Sequence, residues 1–149
     1  MSTRLSAAPE ARLLLSDVTS GSIDMQALEV LVRSSEVGAS VSFAGCVRDH
    51  DHGRAVRNLE YEAYPNAHQL LRHIALQVLT THPHARIAVV HRIGLLDVGE
   101  VALGAVVGTA HRGDAFAACA ELVEEIKASL PIWKLQTFAD GSTEWVNCL

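Results

Sequence analysis

Residues 100–138 read EVALGAVVGTAHRGDAFAACAELVEEIKASLPIWKLQTF. Glu100–Ala110 is apolar almost throughout, the pattern of a strand covered on both faces. Asp114–Leu130 is a long helical stretch, and Pro131 stops it, because proline disfavours the α conformation in the residue before it. Ile132–Phe138 returns to strand, and Thr143–Val146 completes a hairpin across Ala139–Ser142. A buried strand, one long helix and a hairpin in that order predict an α+β fold with a mostly antiparallel sheet and packed helices.

Upstream, the elements alternate in the same way. Arg12–Asp17 reads as a short strand, and Ser22 or Asp24 can cap a helix reaching about Arg33. Val37–Arg48 reads as a strand with Val41, Phe43 and Val47 on one side and Ser40, Ser42, Cys46 and Arg48 on the other. Asp49–Ala55 (DHDHGRA) is a polar, mobile-looking loop. Val56–Tyr64 is a strand, and Pro65 opens a helix bearing Leu70, Leu71, Ile74, Val78 and Leu79. Arg86–Ile93 is a strand, joined to the apolar one by a turn at Leu96–Gly99. The 149 residues suit one domain over 12–149, after a flexible N-terminal arm over 1–11.

The bulk composition narrows the function classes. Hydrophobic residues make up 49% and charged residues 19%, an ordinary globular balance. A net charge of -5 argues against non-specific binding to nucleic acid. No apolar run reaches the roughly 18 residues that span a bilayer, and the polar, alanine-rich start lacks a secretion signal's apolar core. Cys46, Cys119 and Cys148 are odd in number and lack C-x-x-C spacing, as expected of free thiols in the cytoplasm.

Positive charge is carried by ten arginines and only two lysines, Lys127 and Lys134, seven residues apart around the helix stop. Lysine can lose its proton when desolvated and then act as nucleophile or base, which arginine cannot. At about 100° per residue, Phe116, Ala120, Val123, Ile126 and Leu130 form an apolar stripe with Cys119 at its edge, and Lys127 falls inside it. Burial would lower the lysine pKa, whereas the helix C-terminus favours the ammonium form. A plain alternative has Lys127 snorkelling from the last helical turn into water and Lys134 as an exposed strand residue.

His111-Arg112 precede the long helix, where free backbone N–H groups favour an anion. Arg112 adds a bidentate donor. Arg48 ends another strand. If the strand ends converge, within one chain or across a subunit boundary, Arg48, His111, Arg112 and the lysines form one positive pocket in an acidic chain. Taken singly, each arginine would be a surface ion pair of little energetic weight.

Several stretches in fixed order now matter together: Phe43-Ala-Gly-Cys-Val-Arg48, Leu59-Glu-Tyr-Glu62 with Tyr64-Pro65, His91-Arg-Ile-Gly94, Val98-Gly-Glu100, Ala110-His-Arg112, and Lys127 through Pro131-Ile-Trp-Lys134. In these the chain resembles the large-subunit family of molybdopterin synthase, from about Gly38 to Val146. The resemblance implies an α+β fold with a β-hammerhead-like element. It implies a central homodimer with a small ubiquitin-like sulfur carrier on each side, a heterotetramer. The carrier's Gly-Gly tail ends in a thiocarboxylate, and the substrate is cyclic pyranopterin monophosphate, into which two sulfur transfers build the dithiolene of molybdopterin. Carried over by position, Lys127 is the principal catalytic residue and Lys134 assists in catalysis and substrate binding. Arg48, the backbone of Cys46 and Val47, and His111-Arg112 bind the pterin phosphate, with Leu135 and Gln136 lining the pocket. No resident cofactor or metal is implied. The family usually carries an acidic residue where Gln136 stands, so a charge-dependent role is in doubt at that position.

Sulfur transfer from an acyl donor passes through a tetrahedral oxyanion that a lysinium can stabilise. A neutral lysine could instead accept a proton or act as nucleophile, and the residues leave these roles open. Three other readings compete. Cys46, two residues before Arg48, could carry a persulfide. His50-Asp-His52 and His82-Pro-His84 could hold a metal, although zinc normally takes four ligands and these pairs have no spaced cysteine partners. A pterin-binding scaffold without catalysis would not need both lysines.

Overall fold

The computed structural model describes residues 7–147. The elements are α1 (Pro9–Arg12), β1 (Leu13–Thr19), α2 (Met25–Val32), β2 (Ala39–Cys46), β3 (His50–Asp51), β4 (Arg54–Ala63), α3 (Ala67–Thr81), β5 (Arg86–Arg92), β6 (Gly94–Asp97), β7 (Val101–Thr109), α4 (Arg112–Ser129), β8 (Ile132–Phe138) and β9 (Thr143–Asn147). The mixed α+β class is as the pattern predicts.

One sheet has the order β1-β5-β7-β2. Its β1–β5 pair is parallel, while β5–β7 and β7–β2 are antiparallel. The apolar β7 lies inside this sheet with helices on both faces. Alternation divides its neighbours: Ile87, Val89, Leu103, Ala105 and Val107 enter the main core with α3 and α4. Ala88, Val90 and Val106 face α2 through Leu28 and Val32. Asp24 caps α2 by accepting from the Ala27 amide at 3.2 Å. Gly104 and Gly108 let that helix approach, since a Cβ at Gly108 would lie 2.5 Å from Val32 Cγ1.

The second sheet has the order β3-β4-β8-β9, with β6 also pairing β4. Here the sequence reading needs correcting in two places. The 96–99 turn is preceded by a strand, β6, whose four residues are too short to show a period. The 49–55 loop is a tight hairpin, in which Asp51 pairs with Arg54. Its two-residue turn has His52 at φ 48° and Gly53 at φ 77°, the pair of positive values that matches strand twist.

At the N-terminus, α1 delivers the buried Arg12 to the C-terminal end of α3. Its Nη2 donates to Leu79 O at 2.9 Å, and its Nη1 donates to His82 O and Ala85 O at 3.0 Å each. Leu79 O has no helical donor because the residue four on is Pro83, while His82 O also accepts from the Ala85 amide at 3.1 Å. Residues 1–6 of the expected arm, and Cys148, lie outside the described residues.

Candidate active site

Lys127 occupies the last turn of α4, half-buried. The apolar stripe assigned to this helix needs correction. Phe116 is 62% exposed and Ala120 is exposed, whereas Ala115, Ala118, Cys119, Leu122, Val123 and Ile126 are buried. In an alanine-rich helix the pattern has little contrast, and the one aromatic misleads the eye. Lys127 therefore sits at the border of the buried arc. There it lines a void of about 10 Å³, room for about one water, with His91, Ile126, Leu130 and Ile132.

His91 reaches that void because β5 alternation turns it to the α3/α4 side, where it is buried. Its Nδ1 lies 2.8 Å from Arg92 O. A carbonyl can only accept, so Nδ1 carries the proton and Nε2 keeps a lone pair. Burial pushes the His91 pKa down to about 4, and the positive charge of Lys127 pushes it the same way. The imidazole is thus neutral at pH 7 and does not repel an ammonium. Tyr61 meets its ring edge-on at 5.4 Å between centroids.

Tyr61 pairs in register with Lys134, which links the first lysine's surroundings to the second. Lys134 and Gln136 share one face of β8 by alternation, and Leu135 lies on the other with its partners Glu60 and Trp145. Gln136 is only 2% exposed, and its Nε2 donates to Asp51 Oδ2 at 2.7 Å. Asp51 Oδ1 lies 3.6 Å from Arg48 Nη2. The Gln136 hydrogen bond holds the Asp51 carboxyl below the usual carboxylate range, helped by positive charge at His52, Lys134 and Arg48. Lys127, His91, Tyr61, Lys134, Asp51 and Arg48 thus form one continuous wall.

His111 and Arg112 are not on that wall. β2 and β7 are antiparallel, so Cys46 pairs with Val101 and Ala39 with Thr109. Arg48 therefore follows one end of the pair and His111-Arg112 follow the other, about 25 Å away at 3.3 Å per strand residue. The expected convergence does not occur within one chain. Both residues are exposed, and His111 is the N-cap of α4 without a side-chain cap bond. His111 also borders a cavity of about 500 Å³ with His82, His84 and Asp114.

The remaining candidates resolve as follows. Val47 N–H already donates to Glu100 O at 3.0 Å. Cys46 is exposed at the strand end, with its thiol 3.9 Å from Ala44 O. His50 bonds Asp49 at 2.7 Å, and His82 bonds Glu121. Among the described residues no three His, Cys, Asp or Glu side chains gather as a metal site. Three members of the wall went unassigned in the sequence reading, Tyr61 among them. Asp51 is polar within a polar loop, and His91 is the one imidazole in an apolar strand, a signal that its burial makes meaningful.

Comparison with known proteins identifies the family and the fold. The family model described as MoaE protein matches residues 18–129. The molybdopterin synthase catalytic subunit of Nostoc sp. is 36% identical over 132 residues, covering 87% of this chain and 80% of that one. The subunit of the same name from Bacillus subtilis is 37% identical over 132 residues, covering 88% and 83%. The crystal structure of molybdopterin synthase from Staphylococcus aureus superposes with a TM-score of 0.82 at 32% identity, covering 87% of this chain and 95% of that chain. A match of this extent, in sequence and in fold together, establishes that the chain belongs to the MoaE family.

Proposed function

We propose that this chain is the catalytic subunit of a cytoplasmic molybdopterin synthase. It takes sulfur from the thiocarboxylated C-terminus of a small ubiquitin-like carrier and places it on cyclic pyranopterin monophosphate. What supports the reading is Lys127 lining one void with His91, and Lys134 paired in register with Tyr61 on the face that bears the Gln136-anchored Asp51–Arg48 contact, in a chain that has no other lysine.

The chemistry asks for cations at two places. In each transfer the thiocarboxylate sulfur bonds to a pterin carbon and replaces an oxygen there, which leaves as water or stays on the phosphate, and the acyl–sulfur bond must then break. Water adds to the acyl carbon, and the carbonyl oxygen takes the negative charge. Collapse expels the thiolate, which stays on the pterin, and leaves a carboxylate on the carrier. Lys127, half-buried beside a neutral imidazole and a void for about one water, is suited to stabilise that oxyanion. Lys134 and Arg48 are suited to hold the phosphate, Arg48 by a bidentate contact. A second transfer, from a second carrier, completes the dithiolene.

His111 and Arg112 enter this reading only if a second copy supplies them. We take the functional unit to be a homodimer carrying two carriers, each phosphate site completed by the neighbouring subunit's His111-Arg112. The test is reconstitution of purified chain with thiocarboxylated carrier and cyclic pyranopterin monophosphate, with the dithiolene product read by mass spectrometry. Product from the intact chain, and at most about a hundredth as much from K127A, is expected. Binding of the pterin without product would point to a scaffold.

A further inference from the structure

A wall meant for a phosphate and an oxyanion gains from positive charge, yet a carboxylate stands in it. Asp51 is held from two directions. Its Oδ2 accepts from Gln136 Nε2 at 2.7 Å, and Oδ1 lies 3.6 Å from Arg48 and 3.8 Å from His52 Nε2. Lys134 is within its electrostatic reach. The anchor is rigid, because Gln136 is fully buried and paired in register with Leu59 and Glu144. The hairpin is fixed too, by the two positive φ values at its turn. An exposed ion pair by itself contributes little. A carboxylate oriented by a buried amide is different, because its direction is set before substrate arrives.

We propose that Asp51 is a positioning residue: its carboxylate, aimed by Gln136, orients the Arg48 guanidinium on the charged wall beside Lys134. This rests on the synthase reading above, and it gives Gln136 a role that needs no charge of its own.

Three variants separate the charge of Asp51 from its hydrogen bond. D51N keeps an oxygen that accepts from Gln136 and so keeps the hairpin joined to β8, but removes the charge. Q136E sets two carboxylates against each other. D51N/Q136E returns one amide and one carboxylate to the contact with their places exchanged. Each single variant is expected to lose about tenfold in kcat/KM, and the double to recover to within about threefold of wild type. The second readout follows Arg48 itself. Its side-chain Nε–H is assigned with R48K, and 15N relaxation reports how firmly the guanidinium is held. The Arg48 order parameter is expected to fall in D51N and to return in the double variant, because the carboxylate that orients the guanidinium is lost and then restored. Wild-type kcat/KM with an unchanged Arg48 order parameter in D51N would overturn the proposal, as would a double variant no better than the singles. If the intact chain makes no product, the synthase reading fails, while the Arg48 order parameter still decides the role of Asp51.

Discussion

Lys127 and His91 couple chemistry to stability, because they line one void and the buried imidazole titrates near the lysine's charge. K127A should lower kcat by about a hundredfold or more, as loss of a group aimed at a developing oxyanion does, with KM for the pterin changing less. C46A should keep most activity, since the thiol is exposed at a strand end. Steady-state assays of the two variants side by side check this, and the opposite ranking would favour a persulfide route. His91 adds a pH signature. Its pKa of about 4 lies below the ordinary 6.5, so below pH 6.5 the unfolded chain takes up a proton that the folded chain refuses. Stability is full above pH 6.5 and declines between 6.5 and 4, by an amount on the order of 3 kcal/mol. Urea unfolding at pH 7 and pH 4.5 should show that decline in wild type and a much flatter profile in H91Q. At this scale the sequence was only partly legible. The lysines stand out by their rarity, whereas Asp51 gains its meaning from Gln136, 85 residues later, a contact no local pattern displays.

Elements were legible in proportion to their length. β7 and α4 show in the sequence because nine and eighteen residues hold several repeats of their patterns. β3 and β6 do not, because two and four residues hold less than one clear repeat. They exist because β4 offers them edges to pair with, a tertiary cause. The four-residue α1 matters through one side chain. R12A removes the guanidinium donor from three carbonyls at the end of α3, of which His82 O keeps the Ala85 amide, and should cost about 2–4 kcal/mol in urea unfolding. G108A should cost about 1–3 kcal/mol by forcing α2 off the sheet. Neither site touches the lysine wall, so refolded or low-temperature preparations of both variants should retain kcat.

For the whole molecule, the decisive geometry is the separation of Arg48 from His111-Arg112 along β2 and β7. A site needing all three is built from two chains, and subunit mixing makes that visible. K127A and R112A should each be nearly inactive as homodimers. Co-expressed, their mixed dimers hold one intact site each, and about a quarter of wild-type activity should return under random pairing. A mixture as inactive as its parents would mean that each chain acts alone. The long-range pairing behind this geometry also governs how the chain is born. Leu13 waits for Ile87, and Ala39 waits for Thr109. At roughly 5–20 residues per second, the ribosome releases the first half of the polypeptide seconds before its strand partners exist. The nascent chain therefore spends that interval with β1 and β2 unpaired, a window for holdase chaperones, and the β1-β5-β7-β2 sheet closes only near the end of synthesis.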